Sequence, residues 1–335
     1  MTAYLRKKVS SFHLSDRSAK REKRDLYVDG LHKVWKRVSV VESPYVTTSS
    51  CDMSDIRIWC VDVFHESSSD EAAITPIFFR KMPHEKLQGY EIDSNDKQTM
   101  IDVSVQKDLW VSNEQDLCDE LHPLGLAGAI CNALQLAFDT NKRKISDGQK
   151  TTLMQKTGWK RVDFANGIFH SAFLDDVFHS QHWYPLNAWQ SGKPKDQPHV
   201  MFTMAHEYEG KNSCLLRGEV LAIIAIMLTR LASDSLTEHN IIPVMALSIM
   251  AGRKGRVLQA YFADEGLVVF KSRLFSFAGE DDGKIAAEFF LQYMGSEIIG
   301  ATEVSRLSFR KIAGDEATAV TEVHHSVNLS SDDDD

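Results

Sequence analysis

The stretch HVMFTMAHEYEGKNSCLLRGEVLAIIAIMLTRL, residues 199–231, predicts a strand followed by a helix that is apolar on almost every face. Pro198 to Glu207 is a β-rich apolar run, Ser213 is a suitable N-cap, and Cys214 to Ala232 has the composition of a buried helix. Glu219 lies inside this apolar run. Because an unpaired carboxylate loses several kcal/mol when it leaves water, Glu219 needs a cationic partner or a raised pKa.

The residues after this helix continue the same pattern. IIPVMALSIMAG, residues 241–252, is a continuous apolar run of the kind found in a central strand. Residues 257–277 predict a hairpin that turns at Asp264-Glu265-Gly266, and a last helix is predicted from Lys284 to Met294. Strands and helices in this order predict an α/β or α+β fold, in which a mixed sheet is layered with helices around one buried apolar helix.

The first half of the chain predicts a β-rich unit followed by a helix. Ile56–Phe64 alternates like a strand, and ITPIFFRKM (74–82) and TMIDVSVQKDLWV (99–111) are two further candidate strands. Gly125 to Lys144 predicts an apolar helix whose basic end suits the helix dipole. We expect a basic N-terminal arm (1–40), one compact body (41–322) with a possible seam near 145–195, and a disordered acidic tail (323–335).

Composition narrows the class of protein. Among the 335 residues, 43% are hydrophobic and 25% are charged, as in folded soluble proteins. No apolar run approaches the roughly 20 residues of a membrane span, and the N-terminus lacks the apolar segment of a secretory signal, so a cytoplasmic location is expected. The five cysteines are irregularly spaced, which favours reduced thiols, and the histidines lack a standard zinc spacing, so no metal is expected.

Charge is unevenly distributed along the chain. Residues 1–40 contain eleven Lys or Arg against four acids, although the whole chain has a net charge of −9. Such an arm could contact phosphates, and the simpler interpretation is a solvated, partly disordered N-terminus. The candidate phosphate-binding residues are Arg6, Lys7, Lys8, Lys20, Arg21, Lys23 and Arg24.

Carboxylates precede the buried helix. Glu207 and Glu209 point to the same side of the predicted strand, and Glu209-Gly210-Lys211 matches the E-x-K element of metal-dependent nucleases, although this pattern is common by chance. Ser213 and Cys214 would lie at the positive end of the helix dipole, where a thiol pKa falls. No phosphate-binding glycine loop and no G-x-S-x-G element is present.

CLLRGEVLAIIAIMLTRL (214–231), GRKGRVLQA (252–260) and KSRLFSF (271–277) resemble a group of mostly uncharacterised filamentous-fungal proteins, and the profile is similar to that of the arginine-containing cyclodipeptide synthases. The resemblance covers about residues 198–295. It implies an aminoacyl-tRNA partner, including arginyl-tRNA, no cofactor, and tRNA binding by the basic arm. It implies a catalytic set of Glu207, Glu209, Lys211, Ser213, Cys214 and Glu219, and substrate contacts from Arg217, Gln259 and Tyr261.

Two other classes stay open from the sequence. In the first, the chain is a non-catalytic or vestigial nuclease-like α/β binding module, of the PD-(D/E)XK kind, and Glu219 pairs with a core arginine such as Arg230, Arg256 or Arg273. In the second, it is an active magnesium-dependent nuclease. A shared cleft for Glu207, Glu209 and Glu219 would distinguish the synthase from the binding module, and incubation with DNA and Mg²⁺, with Glu209→Gln as control, would test the nuclease.

Overall fold

The structure, a computed structural model, describes residues 2–46, 58–62, 78–112, 121–144, 150–164, 167–178 and 180–303, and for residues 2–17, 58–62 and 178 it describes the backbone without the side chains. The α-helices are α1 (Thr2–Ser39), α2 (His84–Gln88), α3 (Lys97–Val111), α4 (Pro123–Gln135), α5 (Leu153–Thr157), α6 (Arg217–Leu231) and α7 (Glu280–Met294). Shorter 3-10 or π-helical turns are Leu136–Thr140, Ser171–Phe173, Leu174–Phe178 and Asp234–Leu236.

A mixed sheet forms the centre of the fold, and the α/β class is therefore confirmed. The strands are β1 (Tyr45–Val46), β2 (Ile58–Asp62), β3 (Phe79–Arg80), β4 (Glu91–Ile92), β5 (Arg143–Lys144), β6 (Lys150–Thr151), β7 (Trp159–Val162), β8 (Trp183–Ser191), β9 (Val200–Glu209), β10 (Leu215–Leu216), β11 (Val244–Ala251), β12 (Lys254–Ala263), β13 (Gly266–Lys271), β14 (Phe275–Ser276) and β15 (Glu297–Ile298). The main sheet has the order β2-β13-β12-β11-β9-β8-β7. Strands β9 and β11 are parallel, as are β13 and β2, and the other neighbours along this order are antiparallel.

Helices cover both faces of this sheet. Helix α6 forms the crossover between the parallel strands β9 and β11, and its Gly218 lies against the ring of Trp183, which pairs with His206. On the other face, Gly128 of α4 lies against the hydroxyl of Tyr184, the next residue of β8. Since successive strand residues point to opposite faces, α4 and α6 sandwich the sheet.

The predicted apolar helix is the most buried element. From Gly218 to Leu231 every side chain of α6 except that of Thr229 is buried, so its burial in the C-terminal third is confirmed. Ser213 is not its N-cap, because the helix begins at Arg217 and Leu215–Leu216 first pairs with β1. Because each Å² of apolar surface removed from water stabilises the folded state by roughly 25 cal/mol, this helix is a major source of stability.

The N-terminal segment is a helix rather than a solvated arm. Tyr27, Leu31, Val34 and Val38 are buried at the 4-3-4 spacing of one helix face, and α1 packs with this face against α6. The interpretation as a solvated, partly disordered N-terminus is therefore wrong for residues 27–38, because that apolar stripe of α1 packs against the core.

The strand predicted at residues 99–111 is also wrong. Lys97–Val111 is helical, and the Asp96 side chain caps it by accepting a hydrogen bond from the Thr99 N–H at 2.9 Å. Thr99 and Trp110 are buried eleven residues apart, which is three helical turns. The β-branched composition of this run suggested a strand, and the cap and the helical spacing of the inward residues prevail.

The other predictions are confirmed with changed bounds. Strand β2 lies within Ile56–Phe64, whose outer residues lie outside the described ones, and only Phe79–Arg80 of residues 74–82 is a described strand. Helix α4 ends at Gln135, so Arg143 and Lys144 belong to β5 and give no basic helix end. The hairpin, the central strand and the last helix lie where the sequence predicts them. Cys131 and Cys214 are buried free thiols.

Candidate functional site

Glu219, the carboxylate inside the apolar helix, is bound to an arginine of the same chain. Arg256 of β12 donates from Nε to Oε1 at 2.9 Å and from Nη2 to Oε2 at 2.5 Å, and the Leu216 N–H donates to Oε2 at 2.7 Å. The remaining Arg256 nitrogen, Nη1, donates to the carbonyls of Cys214 and Lys211 at 2.8 and 3.1 Å. Both residues have 0% exposure, so the bidentate pair is closed to solvent.

The electrostatics keep this pair ionised. Burial alone raises the pKa of Glu219, but the charge and hydrogen bonds of Arg256 outweigh burial, and the pKa lies below its ordinary value. His206 of β9 is fully buried near this pair. Burial lowers its pKa to about 4, so the imidazole is neutral at pH 7. Neither ring nitrogen of His206 has a hydrogen-bond partner among the described residues.

The structure separates Glu219 from the other predicted carboxylates. His206 faces Glu219 across the α6 side of β9, so the strand alternation turns the next residue, Glu207, toward the opposite face. Glu207 Oε1 lies 2.5 Å from His182 Nδ1, and the Glu209 side chain is 68% exposed with Oε2 3.9 Å from Lys254 Nζ. The expected convergence of three carboxylates on one cleft is therefore wrong.

The E-x-K residues also have separate partners. The Lys211 ammonium lies 4.1 Å from the ring centroid of Tyr45, a cation–π contact, and the Tyr45 hydroxyl donates to the Glu209 carbonyl at 3.1 Å. Among the residues that the structure describes, no three His, Cys, Asp or Glu side chains come together as possible metal ligands.

The two candidate nucleophiles do not lie at a helix N-terminus. Ser213 is exposed and Cys214 is buried, and both precede β10 rather than α6. The Cys214 carbonyl accepts a hydrogen bond from Arg256 and so supports the ion pair. The helix dipole argument made from the sequence does not apply, because α6 starts at Arg217 and the dipole acts within the first turn.

The predicted substrate contacts are dispersed. The Arg217 guanidinium lies 5.1 Å from the Trp183 ring and donates to the carbonyl of Val41. Gln259 and Tyr261 share one face of β12, and the odd spacing from Arg256 places them on the face opposite the ion pair. Tyr261 is 1% exposed, so these side chains do not form one substrate surface with Glu219.

The basic residues of α1 have structural partners. Arg24 is 8% exposed and donates to carbonyls at the end of α6 and beyond, including Leu231 at 2.8 Å and Leu236 at 2.7 Å, so it caps the helix. Lys20 pairs with Glu238 at 3.2 Å, and Lys23 pairs with Asp264. Arg21 is exposed, and the side chains of Arg6, Lys7 and Lys8 lie outside the described ones.

A polar cluster lies on the face of the sheet that α4 covers, and the sequence analysis did not predict it. Asn187 of β8 is 4% exposed, its Oδ1 accepts from Arg161 Nη2 at 2.8 Å, and its Nδ2 donates to Thr203 Oγ1 at 3.3 Å. Asn132 of α4 lies 3.5 Å from the same amide. The cluster contacts two neighbouring strands and a helix, and its Arg161 also pairs with Asp139, with 3.5 Å from Nη1 to Oδ2. It can donate and accept hydrogen bonds, and because that carboxylate is engaged by the guanidinium, it is a poor cation site.

A groove between α3 and α7 is the second feature that the sequence did not reveal. Its volume is about 450 Å³, and its wall includes Trp110 and Leu291 together with the polar residues Gln106, Asn141 and Arg143. Arg143 was predicted in a helix end and Trp110 in a strand. The signal that could have found the groove is the helical spacing of Thr99, Gln106 and Trp110.

None of the helices in the described ranges combines the length and the apolar character that a bilayer crossing needs. Comparisons of the chain with known protein families, with curated proteins and with solved structures find no match. The resemblance to fungal cyclodipeptide synthases therefore stays a prediction.

Proposed function

We propose that this protein is a non-catalytic α/β binding protein, the nuclease-like alternative, and not a tRNA-dependent synthase. One observation carries the proposal: both oxygens of Glu219 are occupied by Arg256 and by the Leu216 N–H, at 0% exposure. A substrate guanidinium would have to displace Arg256 and leave that cation buried without a partner. Such a displacement costs more than the new pair returns.

The surface carboxylates do not replace Glu219 in a catalytic role. Glu207 is engaged with His182, and Glu209 lies at the solvent-exposed end of β9 with Lys254 as its nearest cation. The polar cluster around Asn187 consists of amides, a hydroxyl and the Arg161 guanidinium, which also pairs with Asp139 at 3.5 Å. It can bind a partner by hydrogen bonds, and its carboxylate is already engaged by a cation. These features favour recognition over metal-dependent phosphodiester cleavage.

The geometry gives aminoacyl-tRNA no support as a partner. Arg24 donates its hydrogen bonds to carbonyls of the chain, and Lys20 and Lys23 are paired with acids. Among these four cations of α1, Arg21 is the exposed one without a described partner. Affinity for a nucleic acid depends on the number of phosphates that lysine and arginine neutralise. We therefore expect little binding of tRNA to this face.

Two assays on the full-length chain test the proposal. Expression in a bacterial host, with mass spectrometry of the medium, is expected to give no arginine-containing cyclic dipeptide. Incubation with DNA and Mg²⁺ is expected to give no cleavage, with Glu209→Gln as the control. The proposal is overturned if a cyclic dipeptide forms and Glu219→Gln abolishes it at an unchanged melting temperature, or if DNA is cleaved and Glu209→Gln abolishes the cleavage.

A further inference from the structure

The groove between α3 and α7 contains a buried guanidinium, that of Arg143, whose facing anion, Glu288 of α7, lies beyond ion-pair distance. Arg143 is 7% exposed, and its Nη1 donates to the Tyr90 carbonyl at 2.9 Å. Its Nε has no hydrogen-bond partner, and no carboxylate of the described residues lies within ion-pair distance of it. Burial lowers the pKa of Arg143 to about 10, against the opposing charge of Glu288, which reflects the cost of keeping this guanidinium dry.

Two more polar side chains of the same groove lack partners. Asn141 is 4% exposed and its Oδ1 has no hydrogen bond, and the Nε2 of Gln106 is buried without one. The large majority of buried side-chain polar atoms in proteins are paired, so three unpaired atoms, on three side chains along one cavity, point to a missing polar partner. That partner is a ligand or ordered water.

The remaining wall selects the shape and charge of the partner. Trp110, Ala287 and Leu291 give the groove an apolar side that suits a flat hydrocarbon body. The rim contains Glu280, paired with Lys107 at 2.8 Å, and further acids of α7 and β4. These acids repel polyphosphates and nucleic acid, whereas a single negative charge that reaches Arg143 is compensated.

We propose that this groove binds a small aromatic or otherwise apolar monocarboxylate. Its carboxylate accepts a hydrogen bond from the unpaired Nε of Arg143, its hydrocarbon body lies against Trp110, and a polar substituent bonds to Asn141. The inference rests on the proposed function, because it supplies the class of ligand that a binding protein would hold. The groove is built by α3, α7 and the segment around β5, and the Glu219 pair is no part of it.

The test uses 2-naphthoate as the probe and 2-naphthamide as its neutral match, in calorimetric titrations of the full chain. Naphthoate is expected to bind at least about tenfold more tightly than the amide, because the ion pair adds charge-assisted hydrogen bonds. Arg143→Gln is expected to remove this preference. Arg80→Gln, on an exposed arginine that pairs with Glu297 at 2.9 Å, is the matched control and is expected to leave it unchanged.

A second variant guards against loss of folding in Arg143→Gln. Gln106→Glu keeps the size of a half-buried side chain and adds one negative charge to the groove, so naphthoate affinity is expected to fall about tenfold at an unchanged melting temperature, with the amide unaffected. Equal binding of the two probes, no binding of either, or naphthoate binding that Gln106→Glu leaves intact overturns the proposal and leaves a water-filled groove. These outcomes are independent of the dipeptide and cleavage assays, which test the absence of catalysis.

Discussion

Replacement of Glu219 by glutamine is the most informative perturbation of this chain. The amide keeps the shape of the side chain but leaves the Arg256 guanidinium without a counter-ion at 0% exposure. Removal of one partner of a buried ion pair costs about 3–5 kcal/mol. Since domains are stable by about 5–15 kcal/mol, Glu219→Gln is expected to lower the free energy of unfolding by a large fraction of the total.

Arg256→Met is expected to be more damaging than Glu219→Gln. It leaves a buried carboxylate and also removes the Arg256 donor from the buried Cys214 carbonyl, at about 1–3 kcal/mol for that group. The double variant Glu219→Leu with Arg256→Met contains neither charge. It is therefore expected to be more stable than Arg256→Met alone, which a double-mutant cycle reports as a favourable coupling.

Urea denaturation followed by circular dichroism and by tryptophan fluorescence measures these free energies, provided that the two transitions coincide. Glu207→Gln is the matched control, because its carboxylate is partly exposed where it pairs with His182, and a change below about 1 kcal/mol is expected. The structural explanation of Glu219 fails if Glu219→Gln stays within about 0.5 kcal/mol of the parent chain. That result would mean that its oxygens are available to a ligand.

Three further predictions concern the supports of the core. Arg24→Gln is expected to destabilise the chain by about 1–3 kcal/mol through lost caps on α6, whereas Arg21→Gln on the exposed side is not, in the same denaturation assay. Because burial holds the pKa of His206 near 4, its stabilising contribution is complete above about pH 6.5 and is lost as pH falls toward 4, and His206→Asn is expected to flatten the fall measured by thermal denaturation. Gly30→Ala is expected to loosen α1, because a Cβ would lie 2.5 Å from the Phe262 ring, and a melting temperature equal to that of the parent chain contradicts this packing.

The C-terminal third was predictable because its signals are long and mutually consistent. An apolar run of more than three helical turns, flanked by two apolar strands, leaves the parallel β-α-β crossover as the natural arrangement. The hairpin turn was predictable from Gly266, whose φ of 102° is unfavourable for other residues. Local chemistry and the long-range fold agree at these positions.

In the first half of the chain, the sequence pattern predicted a strand where the structure has a helix, because several apolar residues of this segment are exposed to solvent. Met100, Ile101 and Val105 of α3 are 42–56% exposed, and their β-branched and apolar character suggested a strand. The helix is determined by the N-cap at Asp96 and by the inward side chain of Trp110. Trp110 is recognised as inward only from its packing against Gly283 of α7. In α1 the high content of charge hid the buried stripe in the same way.

The interpretation of Glu219 depends on strand register, which no local pattern contains. Ser248 pairs with Met204 on one side and with Arg256 on the other, and this register turns Arg256 toward α6 and the Glu219 carboxylate. A shift of β12 by one residue would turn Arg256 to the α4 face and leave Glu219 open to an external cation. The sequence supports both arrangements equally, since it contains the carboxylate and several arginines at long range. The choice between a self-paired core and a substrate pocket is therefore made by the packing of the whole sheet.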